Sequence, residues 1–232
     1  MIFTVSGIGM SDGMLITTDE IRAHYGQPSP VVIAKQLPKL DRHARAFIAL
    51  SPFIVIASSD AAGRGDATPR GDPPGFVAVL DDRTLLIPDR TGNRRVDTMM
   101  NVAENPQIGI LFIVPGLTET LRVNGRAGIT TDATMLNACS VLGKPPVAGL
   151  LVSIEEVYFQ CGKAMIRADL WNPDRQIDKK SFPSLARIIA DQIDGVDFAK
   201  TEQSIAANYD ATKTETETVN ARIGIAGRNG GR

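Results

Sequence analysis

The sequence predicts a mainly β fold with flanking helices, arranged as a small antiparallel barrel of six or so strands. Three observations lead there. Short β-rich runs follow one another through the middle of the chain, tight turn signals separate them, and few helical stretches interrupt them. A parallel doubly wound sheet would need a helix after nearly every strand, and this order does not supply one.

From the N-terminus, residues 15–51 read as helical. Thr17 with Glu20 makes a capping box, Ser29 precedes a first-turn proline at Pro30, and Asp41 can cap residues 42–50. From Phe53 the pattern turns to strands: FIVIASS at 53–59, a DAAG turn, DATPRG at 66–71, FVAVL at 76–80, a DDR turn and TLLIP at 84–88. Turns this short set neighbouring strands antiparallel. Between Asn93 and Asn105, Val96, Met99, Met100 and Ala103 recur at helical spacing, with Asn93 as the expected cap and Pro106 as the stop.

QIGILFIV at 107–114 is a continuous apolar strand, and Pro115-Gly116 turns the chain into a nearly alternating run at 119–130. That alternation places Leu121, Val123, Gly125, Ala127 and Ile129 on one face. Thr120, Arg122, Asn124 and Arg126 fall on the other, which is either solvated or a polar seam between two copies. A short helix at 132–142, a strand at 149–159 and a helix at 161–169 complete the core. Two amphipathic stretches follow at 184–193 and 197–209. The expected organisation is a helical preface at 1–51 packing on the core, a barrel domain at 52–175, C-terminal helices at 176–210, and a mobile tail at 211–232 poor in apolar periodicity.

Composition narrows the chemistry. Lys plus Arg (25) nearly balances Asp plus Glu (26), so no global field draws in nucleic acid or an anionic membrane, and an anion site must be local. Two cysteines without CxxC spacing and two histidines, both in the helical preface, leave few ligands for a metal and no base for a serine or cysteine nucleophile. The N-terminus lacks the parts of a signal peptide, and no run approaches the roughly 20 apolar residues of a membrane span. A cytoplasmic, reduced protein is expected. Gly7-x-Gly9 lacks a preceding strand and makes no dinucleotide fingerprint.

The informative segment is RTGNRR at 90–95. With Asn93 as cap, Arg94 and Arg95 would lie in a helix's first turn, where partial positive charge disfavours cations unless an anion neutralises them. That pattern describes a phosphate site, and the competing reading is a solvated pair of arginines meeting Asp89 and Asp97. Arg64 and Arg70 lie in GRGDATPRGDPPG, which reads equally as a solvated hairpin. Late in the core, Lys163 and Arg167 sit at i and i+4 near Trp171, the one tryptophan, which either packs or walls a planar anionic cofactor.

The segments IASSDAAGRGDATPRGDPPGFV, LLIPDRTGNRRVDTMMNVAENPQIGILFIVPG, ETLRVNGRA and CGKAMIR-x-x-LW resemble the pyridoxamine 5′-phosphate oxidase-like FMN-binding proteins over about residues 40–175. The resemblance implies a six-stranded antiparallel split β-barrel and a homodimer with FMN at the subunit interface. It further implies that Arg70 faces the flavin phosphate, that Asn93, Arg94 and Arg95 contact it, and that Pro88 and Asp89 lie beside the isoalloxazine. Arg122 and Asn124 would contribute from the seam, and Lys163, Arg167 and Trp171 match a motif of one subgroup. An FMN-dependent oxidoreductase drawing on NADH or NADPH is the expected activity, with a flavin or haem carrier or sensor and a deazaflavin-dependent reductase as alternatives. The C-terminal basic residues that grip the substrate phosphate in the true oxidases have no match here, so vitamin B6 oxidation is not expected.

Overall fold

The computed structural model describes residue 15, residues 17–90 and residues 92–224. Gly7, Gly9 and the last residues of the expected tail, 225–232, lie outside the described residues. The chain divides into two compact units between Gln36 and Leu37. The smaller holds α1 (Thr18–Tyr25), where the capping box of Thr17 and Glu20 forms in both directions, and α2 (Pro30–Ala34), which starts on the expected proline.

The larger unit opens with α3 (Arg42–Leu50), capped by the Asp41 carboxylate accepting from Ala44 N at 2.7 Å. Residues 37–50, which the sequence groups with the helical preface, therefore belong to the barrel unit. Seven strands follow: β1 (Phe53–Ser59), β2 (Gly65–Gly71), β3 (Ala78–Val79), β4 (Thr84–Asp89), β5 (Gln107–Ile113), β6 (Thr120–Thr130) and β7 (Ala148–Gln160). All pairings are antiparallel, in the order β2-β1-β5-β6-β7-β4-β3. The count is seven rather than the six that the resemblance implies, and FVAVL is reduced to a two-residue strand, Ala78–Val79, against Leu86 and Leu85. The sheet curls into a split barrel with β2 and β3 as its edge strands.

Alternation along the strands builds the interior. Ile54 and Ile56 of β1, Ile108, Ile110 and Phe112 of β5, Leu121 and Val123 of β6, and Leu150 and Val152 of β7 are all buried in one cluster. Burying each such side chain contributes about 1.5 to 3 kcal/mol. Phe47 of α3 closes one side, its ring meeting Phe159 edge-on at 5.4 Å.

The β6–β7 pairing carries one irregularity. Asn124 pairs with Glu156 and Gly125 with Ile154, leaving Glu155 as an extra residue in β7. Gly125 is required opposite it, because a Cβ there would collide with the Ser153 carbonyl oxygen. Beyond the bulge the inward positions of β7 change parity, from Leu150, Val152 and Ile154 to Val157.

Helix α4 (Asp97–Glu104) crosses from β4 to β5 and packs on β1. Thr98 and Val102 are buried beneath it, and Asn101 and Asn105 donate to the hydroxyls of Ser58 and Ser59 at 3.0 and 2.8 Å. Helices α5 (Ala133–Asn137) and α6 (Lys163–Ala168) flank β7 in sequence. They are followed by α7 (Leu185–Gln192) and α8 (Phe198–Arg222), capped by Ser184 and Asp197. Helix α8 runs past residue 211, where the expected mobile tail begins. The hydroxyls of Thr212, Thr214, Thr216 and Thr218 each donate to the carbonyl four residues earlier, side-chain bonds made alongside the helix's own backbone ladder. Among the described residues, no helix is long and apolar enough to cross a membrane.

Candidate functional site

The ends of β2 and β4 and the loop that leads into α4 enclose a cleft of about 600 Å³. Arg70, Asp89, Asn93 and Arg94 supply its polar wall, and Phe76 and Val96 line the apolar side. Of the residues singled out in the sequence, Arg70, Pro88, Asp89, Asn93 and Arg94 are thus brought together. Arg70 points inward from β2 with its neighbours Asp66 and Thr68. Its Nη1 donates to Thr68 Oγ1 at 2.8 Å and to the Pro69 carbonyl at 3.0 Å, while Nη2 stands 3.9 Å from Asp89 Oδ1. The guanidinium is held in place before any ligand arrives.

The helix start differs from the sequence reading. Asn93 was the expected cap, with Arg94 and Arg95 in the first turn, but α4 begins at Asp97 with Val96 at the cap position. Asn93 instead accepts from Arg95 N at 3.1 Å in a local turn, so its side chain is spent before the helix begins. Arg94 (φ 63°) and Val96 (φ 50°) both adopt the left-handed backbone region, which is costly for a β-branched valine. No side chain caps α4, so its first amides keep no side-chain partner and point toward the loop.

The two loop arginines also differ. Arg95 pairs with Asp97 at 2.7 Å, an exposed contact that raises the guanidinium pKa further, and it does not line the cleft. That is one half of the solvated reading of the pair. Arg94 lines the cleft and makes no hydrogen bond or ion pair with the described residues.

Arg90 and Asp72 at the site, and Asp66 further along β2, carry more than the sequence reading gave them. Arg90 donates to Asp72 Oδ2 at 2.7 Å and to the Cys139 carbonyl at 3.0 Å, fastening the loop after β2, the end of β4 and the end of α5 to one another. The partner of Arg90 lies in the DPPG turn, and no local pattern announces that pairing. The third is Asp66, whose Oδ2 is buried with no hydrogen-bond partner among the described residues. Arg64, by contrast, is an exposed partner of Asp60.

The remaining predicted residues lie elsewhere in the protomer. Arg122 and Asn124 are half-buried on the outer face of β6. Arg122 Nη1 donates to the Tyr158 hydroxyl at 3.0 Å, and Asn124 Nδ2 donates to Glu156 Oε1 at 3.3 Å. Lys163 and Arg167 are exposed on α6, and Trp171 Nε1 donates to the Leu117 carbonyl at 2.8 Å beside the β5–β6 turn. None of these lines the cleft. The outer face also carries half-buried Val55, Leu111 and Ile113 and an exposed Phe53.

Cys139 is buried, and burial pushes its thiol pKa up; Cys161 is exposed. Among the described residues no group of His, Cys, Asp and Glu is placed to hold a metal ion.

A family model described as pyridoxamine 5′-phosphate oxidase matches residues 40–161, a little over half of the chain. No curated protein matches. Among solved structures, HupZ from Group A Streptococcus is 20% identical, with 51% of this chain and 91% of that one covered and a TM-score of 0.42. An F420 reductase is 16% identical, covering 52% of this chain and 98% of its own, with a TM-score of 0.38. General stress protein 26 from Bacillus anthracis is 16% identical, covering 50% and 93%, with a TM-score of 0.37.

Proposed function

The chain belongs to the pyridoxamine 5′-phosphate oxidase family, and from that premise we propose that it binds FMN in the β2–β4–α4 cleft and acts as an oxidoreductase. The observation that carries this reading is the convergence of Arg70, Asn93 and Arg94, the last without a partner among the described residues, beside a helix start with no side-chain cap. A phosphate there would accept charged hydrogen bonds from both guanidinium groups and from the first amides of α4. In this reading Arg95 joins the phosphate contacts by leaving Asp97, and Pro88 and Asp89 flank the isoalloxazine.

Bound FMN supplies hydride or electron transfer, here from NADH or NADPH to an acceptor. The protein's share is placement: Thr68 and the Pro69 carbonyl orient Arg70, and Arg90 locks the loops that frame the cleft. No acid–base side chain is demanded of the chain for that role.

The same reading makes the protein a homodimer in the cytoplasm. A second copy laid on the outer sheet face would cover Phe53, Val55, Leu111 and Ile113, and would set Arg122, Asn124, Lys163, Arg167 and Trp171 against the partner's cleft. Half-buried apolar residues on that face support a covered seam, and two free cysteines fit a reducing compartment.

Titration of the purified protein with FMN, coenzyme F420 and haem, followed by visible absorption, tests the cofactor. Saturable uptake of FMN over the other two is expected. No uptake of FMN, or preference for F420 or haem, overturns the reading. Steady-state oxidation of NADH by the loaded protein then separates an enzyme from a carrier.

A further inference from the structure

We propose that the narrower cleft beneath α8 is a second ligand site, opening onto the cofactor cleft, that takes a small organic acid carrying an ammonium or hydroxyl donor. The inference rests on the FMN reading above and names the molecule that would sit beside that cofactor.

The cleft has a volume of about 280 Å³ and lies between the 141–147 loop and the C-terminal half of α8. It shares Gly71, Asp72, Arg90 and Val147 with the larger cleft, so the two are contiguous. Helix α8 lies wholly outside the residues that the family model matches.

The helix has an unusual relation to the body beneath it. Phe198, Ile205, Thr212 and Val219 recur every seven residues and all line clefts, yet none of the helix's residues is buried. A polar helix of 25 residues that buries no side chain gains little by packing. Its inner stripe bounds open space instead of closing it.

The lining chemistry selects the ligand. Lys144 from the loop and Glu215 from α8 line the cleft, and neither side chain makes a hydrogen bond or ion pair with the described residues. Arg90 is not available as a free cation, because Asp72 and the Cys139 carbonyl engage it. The Thr212 and Thr216 hydroxyls donate within the helix, leaving their oxygens as acceptors toward a ligand donor. One free cation and one free anion lining the same cleft match a dipolar molecule, its carboxylate on Lys144 and its donor on Glu215. Pro145 and the buried Pro146 stiffen the loop wall. The volume falls just under the roughly 300 Å³ at which pockets for drug-sized ligands begin, which admits a small metabolite and refuses a dinucleotide.

Isothermal titration of the full chain, with and without saturating FMN, uses three probes of matched length: 4-aminobutyrate, butyrate and butylamine. We expect 4-aminobutyrate to bind about tenfold tighter than either singly charged probe, the equivalent of one retained charge contact. Lys144→Gln should reduce it to the level of butylamine, and Glu215→Gln to the level of butyrate. Both residues are exposed, so the variants fold. In the FMN-loaded protein the bound probe should also shift the flavin band, because the clefts share walls. Equal binding of the three probes, no binding, or variants that behave as the parent overturn the second site while FMN uptake stands. Failure to take up FMN overturns the cofactor reading itself and with it the role given to this cleft.

Discussion

Arg70 Nη2 lies 3.9 Å from Asp89 Oδ1, joining β2 to β4 across the open seam of a sheet in which β1, β5, β6 and β7 stand between them. The contact is long and about a quarter exposed on the arginine side, so it contributes little energy to the closed barrel. Its consequence is positional: the cation that would meet a phosphate sits where the two ends of the sheet converge. Asp89→Asn should lower unfolding free energy by no more than about 1 kcal/mol in a urea titration. Arg70→Ala should weaken FMN binding by about 1.5 to 3 kcal/mol at little cost in stability. A stability loss larger than the binding loss would make Arg70 structural.

Arg94 and Arg95 are neighbours in sequence with different surroundings, and the difference is measurable. Arg94→Ala should weaken FMN affinity by about 1.5 to 3 kcal/mol, whereas Arg95→Ala, which must first give up Asp97, should cost less than about 1 kcal/mol. Fluorescence quenching of FMN by each variant reads the order, and equal losses would show that both arginines reach the phosphate.

Val96 holds a left-handed conformation at a position 47% exposed, so the strain there is not offset by deep burial. Val96→Asn, with a side chain that tolerates this region, should raise unfolding free energy by about 0.5 to 1 kcal/mol. An unchanged or lowered denaturation midpoint would mean that the valine's packing outweighs the strain.

Asp60 accepts from the backbone N–H and guanidinium of Arg64 and from Ala62 N, and these donors, Arg64 first, hold its carboxyl below the usual range. A carboxyl with a lowered folded-state pKa stabilises the protein above its unfolded value near 3.9 and loses that contribution as pH falls through the folded value. Asp60→Asn should therefore lower the urea midpoint at neutral pH and flatten the decline below about pH 4. An acid limb as steep as the parent's would assign it to other carboxyls.

The two thiols should separate cleanly. At about pH 8, a disulfide reagent should modify Cys161 quickly in the native protein and Cys139 only after denaturation, since burial both shields Cys139 and disfavours its thiolate. Two fast equivalents would show that the Arg90–Cys139 region opens readily.

Much of the fold was legible because strand alternation and helix caps are local signals: the Thr17 capping box, the Asp41 cap and the period of β6 all form as the residues dictate. The start of α4 was not. Asn93 can satisfy a helix or a turn, and only the left-handed Arg94 and Val96, which no local rule favours, decide for the turn. At the site, Arg70 and Arg94 line one cleft. The Arg90–Asp72 pairing and the lone oxygen of Asp66 depend on segments meeting in space, and composition carries no trace of that.

Glue for a barrel is usually sought in its large side chains, yet the extra residue in β7 governs which of them face inward. Were Glu155 kept and β7 paired without the bulge, the strand beyond it would alternate the other way: Glu156 and Tyr158 would enter the interior, while Val157 and Phe159 would turn to solvent. The outer-face partners of Arg122 and Asn124 would vanish together with the ring that meets Phe47. Deleting Glu155 would instead bring Ile154 and Glu156 into succession opposite Gly125 and Asn124 and keep the same residues inward, so that position should tolerate nearly any substitution and a deletion as well.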